Sequence, residues 1–198
     1  LLLRCNLLSD VLLDTAASPL RKALESTELG AAPSPLCGLE ESNREMSFLC
    51  GLQGSDEFQA DQVEALILAT LEQVAEEGVE IAALEACFHQ LELSHREIGG
   101  DGTPFGMQLI FSCMSAAIHR GDPIDLLDID QVIAQLRIEI KDPNFIKDLI
   151  KEVLLDNHHR VRVCLYPDEQ MNNRNLLEEE TNLQHINDSL SDKEKQAI

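Results

Sequence analysis

Between Ser18 and Gly54, turn-forming residues arrive at intervals too short for any long element, and this stretch constrains the fold more than any other. Ser18-Pro19 reads as an N-cap followed by proline in the first helical turn, and Gly30 as the residue just past the end of that helix. Pro33 and Pro35 then turn the chain into two short runs, Leu36–Glu40 and Met46–Gln53, joined by Glu41-Ser42-Asn43. Such a pair is expected to form a β-hairpin. Gly51 and Gly54 mark a bulge or a close approach of another backbone.

Helical signals surround this hairpin. Leu1 to about Ala17 is expected to be a buried helix, because it is apolar on most of its circumference. Val63, Ile67, Leu71 and Val74 follow the helical period, with Gly78 as the stop. A second helix is expected from near Glu80, with Ile81, Leu84, Phe88 and Leu91 on one face. The Gly99-Gly100-Asp101-Gly102 loop then interrupts the chain. Thr103-Pro104, Asp122-Pro123 and Asp142-Pro143 are three successive cap-proline pairs, each expected to open a helix, the first running to about His119. Arg160 to Tyr166 alternates, with Val161, Val163 and Leu165 on one side, and reads as a half-buried strand stopped by Pro167-Asp168. Leu176, Leu183 and Leu190 recur at seven-residue spacing around Ile186, giving a helix with a narrow apolar stripe. A turn at Ser189–Ser191 follows, then the start of a second helical arm. The order of elements gives an α+β fold in which several helices pack on a mostly antiparallel sheet, with a C-terminal helical hairpin arm. Residues 1–170 are expected to form the α/β domain and residues 171–198 the hairpin.

Both ends are expected to be cut. The opening helix has no N-cap residue before it, and Ser191-Asp-Lys-Glu194 is a capping box with only four residues after it. The opening apolar run is interrupted by Arg4, Asn6 and Asp10, too soon for a membrane span. It also lacks the pattern of a signal peptide. The truncated elements should leave apolar stripes uncovered, so self-association at high concentration is expected.

The net charge of −21 argues against a nucleic-acid partner, since binders of DNA and RNA present basic surfaces. Twelve of the acids lie between Asp56 and Asp101, against Arg96 as the one basic residue there. A solvated helix face is the plain account of them; a wall that attracts basic peptides is the more specific one. Cys5, Cys37, Cys50, Cys87, Cys113 and Cys164 are scattered and form no C-x-x-C. They read as buried free thiols of a reducing compartment, cytoplasm or an organelle matrix.

Several segments, taken in order, resemble the pitrilysin/insulinase-type zinc peptidases in their presequence-protease branch. These are SPLRKALESTELG and the strand ending REMSFLCGLQG, the helix pair VEALILATLEQVAEEGVEIAALEACFHQLELSHRE, the helix start TPFGMQLIFS, the GDPIDLLDID segment, HHRVRVCLYPDE and the closing LSDKEKQAI. The resemblance covers nearly the whole chain and places it in the second, non-catalytic α/β unit, followed by the start of the hairpin that joins the two halves of the family's clam-shell. It implies a parent zinc metalloendopeptidase acting on unfolded peptides in an enclosed chamber, with the remaining domains of the same polypeptide as partners. The family's H-x-x-E-H zinc motif belongs to an upstream domain. The resemblance therefore assigns no catalytic, cofactor-binding or metal-binding residue to this chain, and the fragment alone is expected to be inactive and free of zinc. The alternative within the same superfamily is a non-catalytic scaffold or partner subunit.

The residues themselves offer few rival sites. His89, Glu92 and His95 tempt a metal assignment, but His89 and His95 are six apart and lie about 120° from each other around a helix. Cys87 and His89 have no second ligand pair, His158 and His159 are adjacent beside a strand start, and there is no G-x-S-x-G elbow. Gly99–Gly102 is too short for a phosphate loop and no Lys follows it.

Overall fold

The computed structural model describes residues 1–96, 102 and 104–191. The chain divides into two units, Leu1–Val161 and Arg162–Ile198. The first is built around helix α1, Leu2–Leu13, in which eight of twelve residues are buried. A helix apolar on nearly every side can be stable in water only when other elements surround it. Here they are α2 (Pro19–Ser26), α4 (Ile81–Arg96), α6 (Asp130–Glu139), α7 (Phe145–Ile150) and a strand described below. Leu7, Leu12, Leu20 and Ile150 are fully excluded from solvent in this core, each such side chain contributing roughly 1.5–3 kcal/mol. Helix α3, Ala60–Glu77, packs on α2 and α7 through Leu71, Val74 and Ala75. Its last turn is finished by the Gly78 amide on the Val74 carbonyl and by Lys147 Nζ donating to the Glu76 carbonyl at 2.9 Å.

The strand region consists of two antiparallel pairs. Strand β1 (Ala32–Pro33) pairs with β4 (Leu52–Gln53), and β2 (Gly38–Glu40) with β3 (Ser47–Leu49). The hairpin forms where the sequence places it and α+β describes the molecule, but its loop runs over residues 41–46 and the expected strand Met46–Gln53 divides into β3 and β4, which pair with different partners. Two further local expectations need revision. Helix α2 ends at Ser26, so Gly30 is not its cap; a Cβ at Gly30 would instead lie 2.8 Å from Ser55 Oγ and 2.9 Å from Leu52 Cβ. Gly54, at φ +69°, sits as tightly against Ala31. The two glycines let the chain cross itself beside β1 and β4. Ser18 does occupy the N-cap position of α2, but its hydroxyl turns back to α1, accepting from the Thr15 amide and reaching the Asp10 carbonyl.

Beyond α4, whose Ile81 is exposed while Leu84, Phe88 and Leu91 are buried, the cap-proline pairs behave differently from one another. Thr103 lies outside the described residues; α5 (Phe105–Ile118) follows Pro104. Asp122 accepts from the Ile124 amide at 2.9 Å, yet opens only a 3-10 turn, Pro123–Leu126, and α6 starts at Asp130. Asp142 accepts from Asn144 at the start of α7, which continues into a π-helical turn, Lys151–Leu155.

The expected strand at Arg160–Tyr166 is a correction. These residues take no regular structure, with Val161 at 91% and Leu165 at 88% exposure. Alternation creates a strand only when a neighbouring edge accepts its hydrogen bonds, and neither of the two short pairs does so. In the second unit, α8 (Met171–Ser189) is preceded by Asp168, which accepts from the Gln170 amide at 2.9 Å and pairs with Arg174. Leu176, Leu183 and Ile186 on α8 are all more than half exposed. The capping box at Ser191–Glu194 runs outside the described residues.

Candidate functional site

Helix α2, the end of α1 and the turn through Pro33 and Pro35 line an open cleft of about 400 Å³. Arg21 and Glu25 lie one turn apart on α2 and pair at 2.7 Å, while Cys37 closes the other side. The turn between the prolines is held by the Cys37 amide on the Ser34 carbonyl and the Leu36 amide on Ser34 Oγ. Cys37 Sγ lies 3.4 Å from both the amide nitrogen and the carbonyl oxygen of Gly51. The Cys50 thiol is its neighbour across the hairpin. Hydrogen bonding to Cys50 is the main reason that Cys37 is held down to about 6, with the Gly51 and Ser34 backbone and the Arg21 charge adding to it against the effect of burial. Cys50 is pushed well up, first by that hydrogen bond and then by burial.

The expectation that the cysteines are buried needs correction. All six are free, but only Cys5 is buried; Cys37, Cys50, Cys87 and Cys113 are partly exposed and Cys164 is open to solvent. Nor are they all isolated, because the hairpin register brings two of them together. The expected turn at Glu41-Ser42-Asn43 would have set Cys37 opposite Ser47, whereas the observed ladder pairs Glu40 with Ser47 across a loop of residues 41–46, so the sequence carried no signal for this pair.

The His89, Glu92, His95 group is structural. Glu92 is taken up by Arg96 at 3.0 Å and by Arg137 of α6, and Arg137 also lies over the Phe88 ring at 5.2 Å from its centroid. Arg96 reaches on to Asp130 at 3.2 Å. The carboxylate thus ties α4 to α6, while His89 and His95 face solvent. His158 and His159 are exposed beside the irregular segment. Gly99 to Asp101 lie outside the described residues. Among the described residues, no three His, Cys, Asp or Glu side chains converge as a metal ion requires, and no helix is long and apolar enough to cross a membrane. The described residues therefore offer no donor set that fits zinc.

Residues 2–91 match the Peptidase M16 inactive domain, and the chain belongs to the M16 peptidase family. Within it, the chain is similar to presequence proteases. It is 35% identical to the mitochondrial presequence protease of Xenopus laevis over 98% of this chain and 19% of that protein. The mitochondrial presequence protease of Mus musculus is 31% identical, over 98% of this chain and 18% of that protein. Presequence protease 1, chloroplastic/mitochondrial, of Arabidopsis thaliana is also 31% identical, over 97% and 18%. The chain spans about one fifth of the length of these relatives.

Proposed function

We propose that residues 1–170 are the second, non-catalytic α/β domain of a zinc metalloendopeptidase of the presequence-protease type, and that residues 171–198 begin the helical hairpin joining its halves. The zinc and the groups that act on it then lie elsewhere in the same polypeptide, and this piece supplies no catalytic residue and no ligand. Its work is mechanical: one wall of a chamber in which unfolded peptides are hydrolysed, and the hinge beside it. The observation that carries this reading is the extent of the likeness, which runs through 195 residues rather than one motif. Exposed apolar surface is consistent with burial against further domains: Ile110 and Phe111 on α5, and Leu176 and Leu183 on α8, are each more than half exposed. The acids of α3, and Glu85 of α4, face solvent, as a wall approached by basic peptides requires. The relatives' names place them in mitochondria and chloroplasts, so an organelle matrix is the compartment this reading favours.

Two measurements test it. Zinc analysis of the purified chain should find no tightly held metal, and one zinc per chain would overturn the assignment. The coding region upstream should encode H-x-x-E-H with a later glutamate. An upstream domain of the same shape with that motif eroded would make the parent a scaffold subunit instead.

A further inference from the structure

The ladder of β2 and β3 pairs Glu40 with Ser47, Leu39 with Phe48 and Gly38 with Leu49. Continued by one residue beyond the ladder, that register would set Cys37 opposite Cys50. Directly opposed residues in an antiparallel pair have Cα atoms about 4.5–5.5 Å apart, inside the span of about 4.4–6.8 Å that a disulfide bridges. The Cys37 sulfur lies 3.4 Å from the backbone nitrogen and oxygen of Gly51, the residue next to Cys50. Both cysteines pack against the hydrophobic core, and Cys37 alone of the two also borders the cleft beside Arg21. We propose that Cys37 and Cys50 form a reversible dithiol–disulfide site, in which Cys37 attacks a low-molecular-weight disulfide that enters beside Arg21 and Cys50 then closes the bond.

The chemistry balances with that oxidant. The Cys37 thiolate attacks one sulfur of the small disulfide, forming a mixed disulfide and releasing one small thiolate. Cys50 then attacks Cys37 Sγ, its proton passing to a released thiolate, and the second small thiol leaves. Two cysteine sulfurs are oxidised and one small disulfide is reduced to two thiols. Excess reduced thiol runs both steps backwards. The order of attack follows from the geometry: Cys37 borders the cleft, and its sulfur accepts from the Gly51 amide at 3.4 Å, a hydrogen bond that favours the thiolate there. Burial pushes the Cys5 and Cys87 thiols up, away from reactivity. The bond would close the open end of the hairpin next to Gly51, whose carbonyl holds the Ser34 amide at 2.9 Å. This site depends on the hairpin alone and stands whether or not the parent is a peptidase.

The test is a titration of the fully reduced chain with mixtures of oxidised and reduced glutathione, followed by alkylation, intact mass and sequencing of linked peptides. The expected first product has lost two alkylatable thiols, retains no glutathione, and joins Cys37 to Cys50. C50S should stop at one glutathione on Cys37, and C37S should leave Cys50 free at the same ratio. R21Q in the C50S background should slow that adduct. Glutathione on Cys113 or Cys164 with Cys37 and Cys50 still alkylated would overturn the proposal. So would a first disulfide joining any other pair.

Discussion

Helices α1 and α5 are both strongly apolar, yet α1 has eight buried residues of twelve and α5 has none of fourteen. The difference lies in their neighbours. Four helices and β2 close around α1, whereas the principal neighbour of α5 is the short 3-10 turn at Pro123–Leu126. Apolar composition states that a surface gains by being covered; topology decides whether anything in this chain covers it. A helix such as α5, with Ile110 at 57% and Phe111 at 56% exposure, has its stabilising partner outside the described residues or has none.

The largest expected effect comes from the same kind of truncation in the two helices. Leu12 is fully buried, so Leu12→Ala should cost roughly 2–5 kcal/mol through lost burial and a cavity beneath α4 and α7. Ile110→Ala should change stability by no more than about 0.5 kcal/mol. Urea midpoints of the two variants measure both. A cost at Ile110 comparable with that at Leu12 would mean that α5 is packed in solution and would abolish the contrast.

A smaller effect separates the helices by pH. The Asp10 carboxyl on α1 is raised from 3.8 to about 6, first by burial and then by the Asp14 charge. Because the folded chain holds this proton more tightly than the unfolded chain, the contribution is favourable at low pH. Stability therefore falls as pH rises between 3.8 and about 6, and the loss persists above that window. Asp10→Asn should flatten this segment of the profile when urea midpoints are taken at several pH values. Helix α5 carries no carboxylate or basic side chain, so substitutions there should leave the profile unchanged.

What could be read in advance follows the same division. The core face of α3 and its stop at Gly78, the burial of α1, and the hairpin all rest on local periodicity and turn chemistry, which act within a few residues. Asp122-Pro123 gave the local start correctly but not what followed, because one hydrogen bond to Ile124 fixes a single turn and propagation needs packing. Val161, Val163 and Leu165 carried a valid strand pattern without an edge to pair with. The Cys37–Cys50 pair was hidden for another reason. Twelve residues lie between the two in sequence, and the pairing of β2 with β3 is what brings their ends of the hairpin together. Rejecting His89 and His95 as ligands needed nothing beyond helical geometry, whereas the tie from Glu92 to Arg137 spans two helices that are distant in sequence.

The smallest expected effect concerns association rather than folding. Phe105, Met107, Ile110, Phe111 and Ile118 leave an apolar surface on α5 that water covers at a cost of about 25 cal/mol per Å². Two chains meeting through this helix would bury part of it, but association also costs translational freedom and side-chain ordering, which offsets much of the gain. The outcome should be weak self-association that grows with concentration in sedimentation velocity. Phe111→Glu would place a charge in the middle of this surface and should lower the association while leaving the urea midpoint almost unchanged, since the side chain makes no buried contact to lose. The same substitution in α1, where Leu8 is only 2% exposed, would instead bury an unpaired carboxylate and unfold the chain. A monomer at every concentration would show that exposure of α5 alone does not make the surface adhesive, and the contrast between the helices would then concern folding only.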